Sequence, residues 1–208
     1  MKTIALLGDS IIDNGIYTGD APCVEEILAA NLGKDWQVVR LAVDGHMIRN
    51  VYQQLKSLPP STTHIILSVG GNDALMHSQL LMPGSSRTEL LDLAKVAEGF
   101  AADYANILRE VKKRNLPLAV CTIYEGSFPD KDMQRKAIAA VAVFNDKIIR
   151  AAMREGIPVI ELRETCNKPE YFTDQIEPSA AGGKQIAKAF QNILLNHDFR
   201  QAGTRLYS

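Results

Sequence analysis

The sequence predicts an α/β fold in which a five-stranded parallel sheet is covered by helices on both faces. Three observations lead there. Short apolar runs recur along the chain, segments of helical period lie between them, and Gly or Pro marks the junctions. Buried parallel strands read as nearly continuous apolar runs, and strict strand–helix alternation argues for a parallel sheet with two covered faces. At 208 residues the chain sits in the single-domain range and can bury a sizeable core. No repeat, low-complexity stretch or long linker divides residues 1–208, which are expected to form one domain.

The first strand is expected over residues 2–7, an apolar run stopped by Gly8. The others fall at residues 36–42 (WQVVRLA), 64–69 (HIILSV), 118–123 and 157–162. A first helix over 24–32 follows Pro22, a good first-turn residue. A second over 48–58 stops at Pro59-Pro60. Ser86 and Glu89 form a capping box ahead of a long helix that ends near Asn115-Leu116-Pro117. Another runs from about Lys131 to Glu155, with Gly156 as its C-terminal cap. Ser179 opens the last, over 180–196.

Composition excludes several function classes. Hydrophobic residues make up 46% and charged residues 23%, with a formal net charge of −1. No field of one sign points to nucleic acid or an anionic membrane. Only four consecutive apolar residues precede Gly8, too few for a signal-peptide core or a membrane span. Cys23, Cys121 and Cys166 are odd in number and far apart, which predicts buried free thiols instead of disulfides or a zinc site. A cytoplasmic protein is the expectation.

Ligands of open parallel sheets bind beyond the carboxyl ends of the strands. Gly8-Asp9-Ser10, Asp44-Gly45-His46, Gly70–Asp73 and Tyr124-Glu125-Gly126 all fall there. Ser10 is a candidate nucleophile, which needs a base and an anion-stabilising pocket. Gly45 offers a backbone N–H open to close approach and Asn72 a side-chain amide, so with the Ser10 N–H three donors are available to an oxyanion. Each segment has a plain reading too, because Gly, Asp, Asn and Ser are common in turns and caps.

Together, Gly8-Asp9-Ser10, Ala42-Val43-Asp44-Gly45, Gly70-Gly71-Asn72-Asp73 and Asp174-x-x-x-Pro178-Ser179 resemble the four blocks of the SGNH hydrolase (GDSL esterase/lipase) family, in the family's order. The resemblance implies a three-layer, flavodoxin-like α/β/α sandwich and ester hydrolysis through a serine. It assigns attack to Ser10, the oxyanion to the Ser10 N–H, Gly45 N–H and Asn72 amide, and orientation of the base to Asp174. Small acyl esters or acetylated carbohydrates are the implied substrates, with no cofactor and no metal. A flavin-binding flavodoxin-like protein fits the layers but not the Ser10, Gly45 and Asn72 set.

The last block departs from the family pattern. Histidine normally stands three residues after the aspartate, but here Glu177 holds that place. A free glutamate titrates near about 4.3, roughly two units below imidazole. Protonated glutamate is also neutral, whereas imidazolium is a cation beside the tetrahedral anion. Loss of the histidine can cost on the order of a millionfold in turnover. Three readings follow: Glu177 as a carboxylate base aided by its repulsion with Asp174, a substitute histidine, or a non-catalytic ligand-binding protein in which Glu177 is structural. Among the histidines, His46 follows Gly45 directly and His77 lies four residues past Asp73, while His64 and His197 fall at the wrong ends of their elements. Asp9, Asp13 and Asp73 cluster near the expected mouth without a coordinating spacing. Met76, Leu80, Leu81 and Met82 are a candidate acyl-binding wall.

Overall fold

The computed structural model describes residues 1–81, 89–201 and 203–208, and the side chains of all of these except 80, 81 and 89. The expected capping box at Ser86 and Glu89, and the side chains of Leu80, Leu81 and Met82, lie outside the described residues. In chain order the elements are β1 (Lys2–Gly8), α1 (Val24–Leu32), β2 (Trp36–Arg40), α2 (Ile48–Gln54), β3 (His64–Ser68), α3 (Gly71–Leu75) and α4 (Glu89–Lys112). They continue with β4 (Leu118–Cys121), α5 (Lys131–Glu155), β5 (Val159–Ile160), α6 (Leu162–Thr165), α7 (Ala180–Asn196) and β6 (Leu206–Tyr207).

The sheet has the order β2-β1-β3-β4-β5-β6 and every pairing is parallel. It holds six strands, where the sequence predicts five. The sixth is the two-residue β6, whose Leu206 and Tyr207 pair with Val159 and Ile160. So short a segment carries no periodicity, and only its tertiary pairing makes it a strand.

Alternation along β1 distributes its side chains between two cores. Ile4 and Leu6 pack with Ile66 of β3, Leu28 of α1 and Phe190 of α7. Ala5 and Leu7 pack with Leu67 of β3, Val51 of α2, Tyr104 of α4 and Ile148 of α5. Period-2 strands between two helical layers give the α/β/α sandwich. The caps follow the sequence. Asp130 accepts the Met133 N–H at 2.7 Å, Gly156 closes α5 at φ 67°, and Ser179 accepts the Gly182 N–H at 3.2 Å. The expected helix over 48–58 is α up to Gln54 and then one 3₁₀ turn.

All three cysteines are free and buried. Among the described residues no helix is long and apolar enough to cross a membrane. The loops that leave β1, β2, β3 and β4 converge at one edge of the sheet, and the segment between α6 and α7 closes over it.

Candidate active site

Ser10 sits in a tight turn straight after β1. Ile12 and Asp13 both donate to the Asp9 carbonyl, at 3.1 and 3.0 Å. Gly8 has φ 142°, and a Cβ there would stand 1.7 Å from the Ser68 carbonyl oxygen, so β1 approaches β3 at a distance that only glycine permits. A side chain from α2 then grips the same residue twice. Gln54 Oε1 accepts the Gly8 N–H at 2.9 Å and Gln54 Nε2 donates to the Gly8 carbonyl at 2.8 Å. The backbone two residues ahead of the nucleophile is therefore fixed on both sides.

The Ser10 N–H has no partner among the described residues, and neither does the Gly45 N–H. Gly45 turns at φ 75° with open space where a Cβ would point, so its conformation, not crowding, calls for glycine. Asn72, in the first turn of α3, donates one amide hydrogen to the His46 carbonyl at 2.9 Å, and the other has no partner among the described residues. That bond ties α3 to the loop carrying Gly45. Asp73 accepts the Ile48 N–H at 3.0 Å and so opens α2.

Glu177 meets Ser10 from the loop ahead of α7. Burial raises its pKa above the usual carboxylate range, the Ser10 hydroxyl beside it opposes this, and the charges of Asp44 and Asp174 add to the rise. Its Oε2 is buried with no hydrogen-bond partner among the described residues. Asp174 acts on Glu177 through the backbone: Asp174 Oδ1 accepts the N–H groups of Ile176 and Glu177 at 2.7 and 2.8 Å. The loop is further pinned where Thr173 N–H reaches the Glu177 carbonyl at 2.8 Å and Tyr124 OH reaches the Ile176 carbonyl at 2.5 Å.

Ser10, Asn72 and Glu177 share one cavity of about 100 Å³. Its far wall is apolar and is built by Leu93 of α4 and by Ala137, Ala140, Val141 and Phe144 of α5. Gly45 and Asp174 stand outside that lining. Of the two candidate histidines, His77 lines the cavity and His46 does not. The His46 ring is drawn toward α2, with Nδ1 2.9 Å from Gln54 Nε2. Tyr124, Glu125 and Gly126 line the cavity from the edge where the sequence places them, whereas sequence reasoning missed Phe128 and the α5 wall, because only packing decides which face of a helix meets a pocket so far along the chain from the nucleophile.

Among the described residues no three His, Cys, Asp or Glu side chains gather as a metal site requires. The three clustered aspartates have separate tasks. Asp13 pairs with Arg40 and accepts the Asp44 N–H at 3.0 Å, Asp73 caps α2, and Asp9 is buried.

The sequence pattern of the GDSL-like lipase/acylhydrolase family matches residues 6–185. No curated protein sequence gives a match. Solved structures do. Phospholipase A1 from Streptomyces albidoflavus NA297 superposes with TM-score 0.71 at 16% identity, covering 95% of this chain and 99% of that one. An extracellular lipase from Streptomyces rimosus gives 0.71 at 15% identity, with 95% and 100% covered. The acetyl xylan esterase AlAXEase gives 0.61 at 18% identity, with 89% and 96% covered.

Proposed function

The chain belongs to the GDSL-like lipase/acylhydrolase family, an ester hydrolase by that membership, and from this premise we propose that Ser10 is its nucleophile and Glu177 its base. The observation that carries the reading is the shared cavity, which Ser10 and Glu177 both line and which opens onto an apolar pocket beside them.

Ser10 Oγ attacks the ester carbonyl carbon while its proton passes to Glu177. The electron pair displaced onto the carbonyl oxygen is held by the Ser10 N–H, the Gly45 N–H and the second amide hydrogen of Asn72. Collapse expels the alkoxide, which takes the proton back from Glu177 and leaves an acyl-serine. Water then repeats the sequence with Glu177 again as base, and the free acid departs. Burial and the neighbouring Asp44 and Asp174 make Glu177 a stronger base than a free carboxylate. No imidazolium forms beside the oxyanion, so turnover is slow for the fold.

Lipases and an acetyl xylan esterase share this fold, and the lining of the cavity supports one substrate type over the other. Its wall presents Leu93, Ala140, Val141 and Phe144 where the acyl group would rest, which suits a short hydrocarbon acyl chain. The test is p-nitrophenyl acetate hydrolysis by the parent, Ser10→Ala and Glu177→Gln. Turnover lost in both variants supports the assignment. Equal rates in all three would discard it and leave a ligand-binding protein with an inactive site.

A further inference from the structure

Asp9 directly precedes the nucleophile and is only 2% exposed. It lines the same cavity as Ser10 and Glu177. Its Oδ1 accepts the Ile11 N–H at 3.2 Å, and its Oδ2 is buried with no partner among the described residues. The titratable groups facing it come from every neighbouring element: Glu177 from the loop before α7, Asp73 from α3, Tyr104 from α4, Cys121 from β4 and Tyr124 just beyond. Two of these are acids, and burial pushes the other three toward their neutral forms. No Lys, Arg or His of the described residues pairs with Asp9. An ionised carboxylate with one hydrogen bond, no cation and acidic neighbours is costly in such a place.

We propose that Asp9 is a positioning residue of the ester hydrolysis: it keeps its proton while Glu177 stays ionised, and Ser10 turns over only in that state. The proposal rests on the roles given above to Ser10 and Glu177. With Asp9 neutral, attack moves one negative charge from Glu177 to the substrate oxygen as the Ser10 proton crosses to Glu177, and the site's total charge does not change. With Asp9 ionised, the same oxyanion forms beside a second buried charge that nothing offsets. An imidazole base would form a cation at that moment; a carboxylate base cannot, so this chain relies on the neutrality of Asp9. Burial, Glu177 and Asp73 together push the Asp9 pKa up to about 8 against the lowering effect of the Ile11 N–H, which places the switch within reach of assay.

The experiment has two arms on the full chain. In the first, Asp side chains carry a ¹³C carboxyl label and the Asp9 signal, assigned by through-bond correlation, is titrated by NMR. A protonated Asp9 at neutral pH that titrates near 8 is expected, and an ionised one overturns the proposal. In the second, kcat for p-nitrophenyl acetate is followed from pH 7 to about 9.5 with the Ser10→Ala rate subtracted. The parent should lose about 30-fold across this range as one group near 8 ionises, while in Asp9→Asn the ratio of the two rates should stay within about threefold. A parental loss that persists in Asp9→Asn overturns the proposal while leaving Ser10 as nucleophile. A Ser10→Ala rate equal to the parent's removes the nucleophile itself, a different failure. Should Asp9→Asn not fold, the parent alone decides: a rate limb that does not coincide with the Asp9 titration refutes the link.

Discussion

Asp9→Asn is expected to stabilise the protein increasingly as pH rises. The amide is nearly isosteric, retains an acceptor for the Ile11 N–H, and places an N–H where the acid has its O–H, so the packing and the unpartnered donor are alike. What changes is ionisation. Asp9 titrates near 3.8 in an unfolded chain and near 8 in the folded one. Between those values the folded state binds a proton that the unfolded state does not, and stability falls as pH rises. Below the lower value this contribution is fully present, and above about 8 the loss is complete. Each pH unit in the window is worth about 1.4 kcal/mol. From pH 5 to pH 7.5 the parent should therefore lose about 3 kcal/mol that the variant does not. For a chain of this size that equals about 6–12 °C in Tm. Urea denaturation of both proteins at both pH values gives the difference of differences, in which every other titrating group cancels. A gap between the proteins that is the same at both pH values would show that Asp9 is ionised in the folded state, and the argument from its burial would fall.

Glu177→His should raise Ser10-dependent kcat on p-nitrophenyl acetate by at least about 100-fold, since imidazole becomes a cation beside the oxyanion; an unchanged or lower rate would refute the role given to position 177. Ala140→Phe puts a ring into the apolar wall. Excluding two methylenes from burial costs about 1.6 kcal/mol, so kcat/KM for the butyrate ester should fall more than about tenfold relative to the acetate ester, and a constant ratio would move the acyl group elsewhere. Asn145 is fully buried and holds both the N–H and the carbonyl of Ile123 at 2.7 Å. Asn145→Ala leaves two buried backbone groups unpaired and should cost about 2–4 kcal/mol in urea denaturation; a loss below about 0.5 kcal/mol would mean that water replaces the amide.

The strands β1, β3 and β4 are legible in the sequence because a strand buried on both faces is a continuous apolar run, and Gly156 and Ser179 mark helix ends by local chemistry alone. Ser10, Asn72 and Glu177 were reachable for a related reason: each follows a strand or precedes a helix, and the topology carries those junctions to one edge. Two-residue β6 was not legible, since pairing with β5 makes it a strand and no local pattern does. The grip of Gln54 on Gly8 was equally hidden, as it joins residues 46 apart through one side chain. The alanines of α5 show helical spacing in the sequence, yet which of them face the cavity depends on how α4 and α5 pack. The turn at Asp174 is the opposite case: an aspartate ahead of two backbone N–H donors is a local motif, legible as a turn as well as a catalytic partner.

That turn has an evolutionary consequence. The loop's shape is set by Asp174 gripping the main chain of residues 176 and 177, by Thr173 N–H on the Glu177 carbonyl and by Tyr124 on the Ile176 carbonyl. None of these bonds uses the side chain at 177. The position is therefore a socket whose occupant can be exchanged without rebuilding the loop's backbone bonds, so the proton acceptor proposed for it can be traded while the turn stays as it is. On the role proposed for Glu177, drift at this position is restrained by the site's chemistry and not by the loop's backbone bonds, which is how a scaffold can outlast one catalytic regime and enter another.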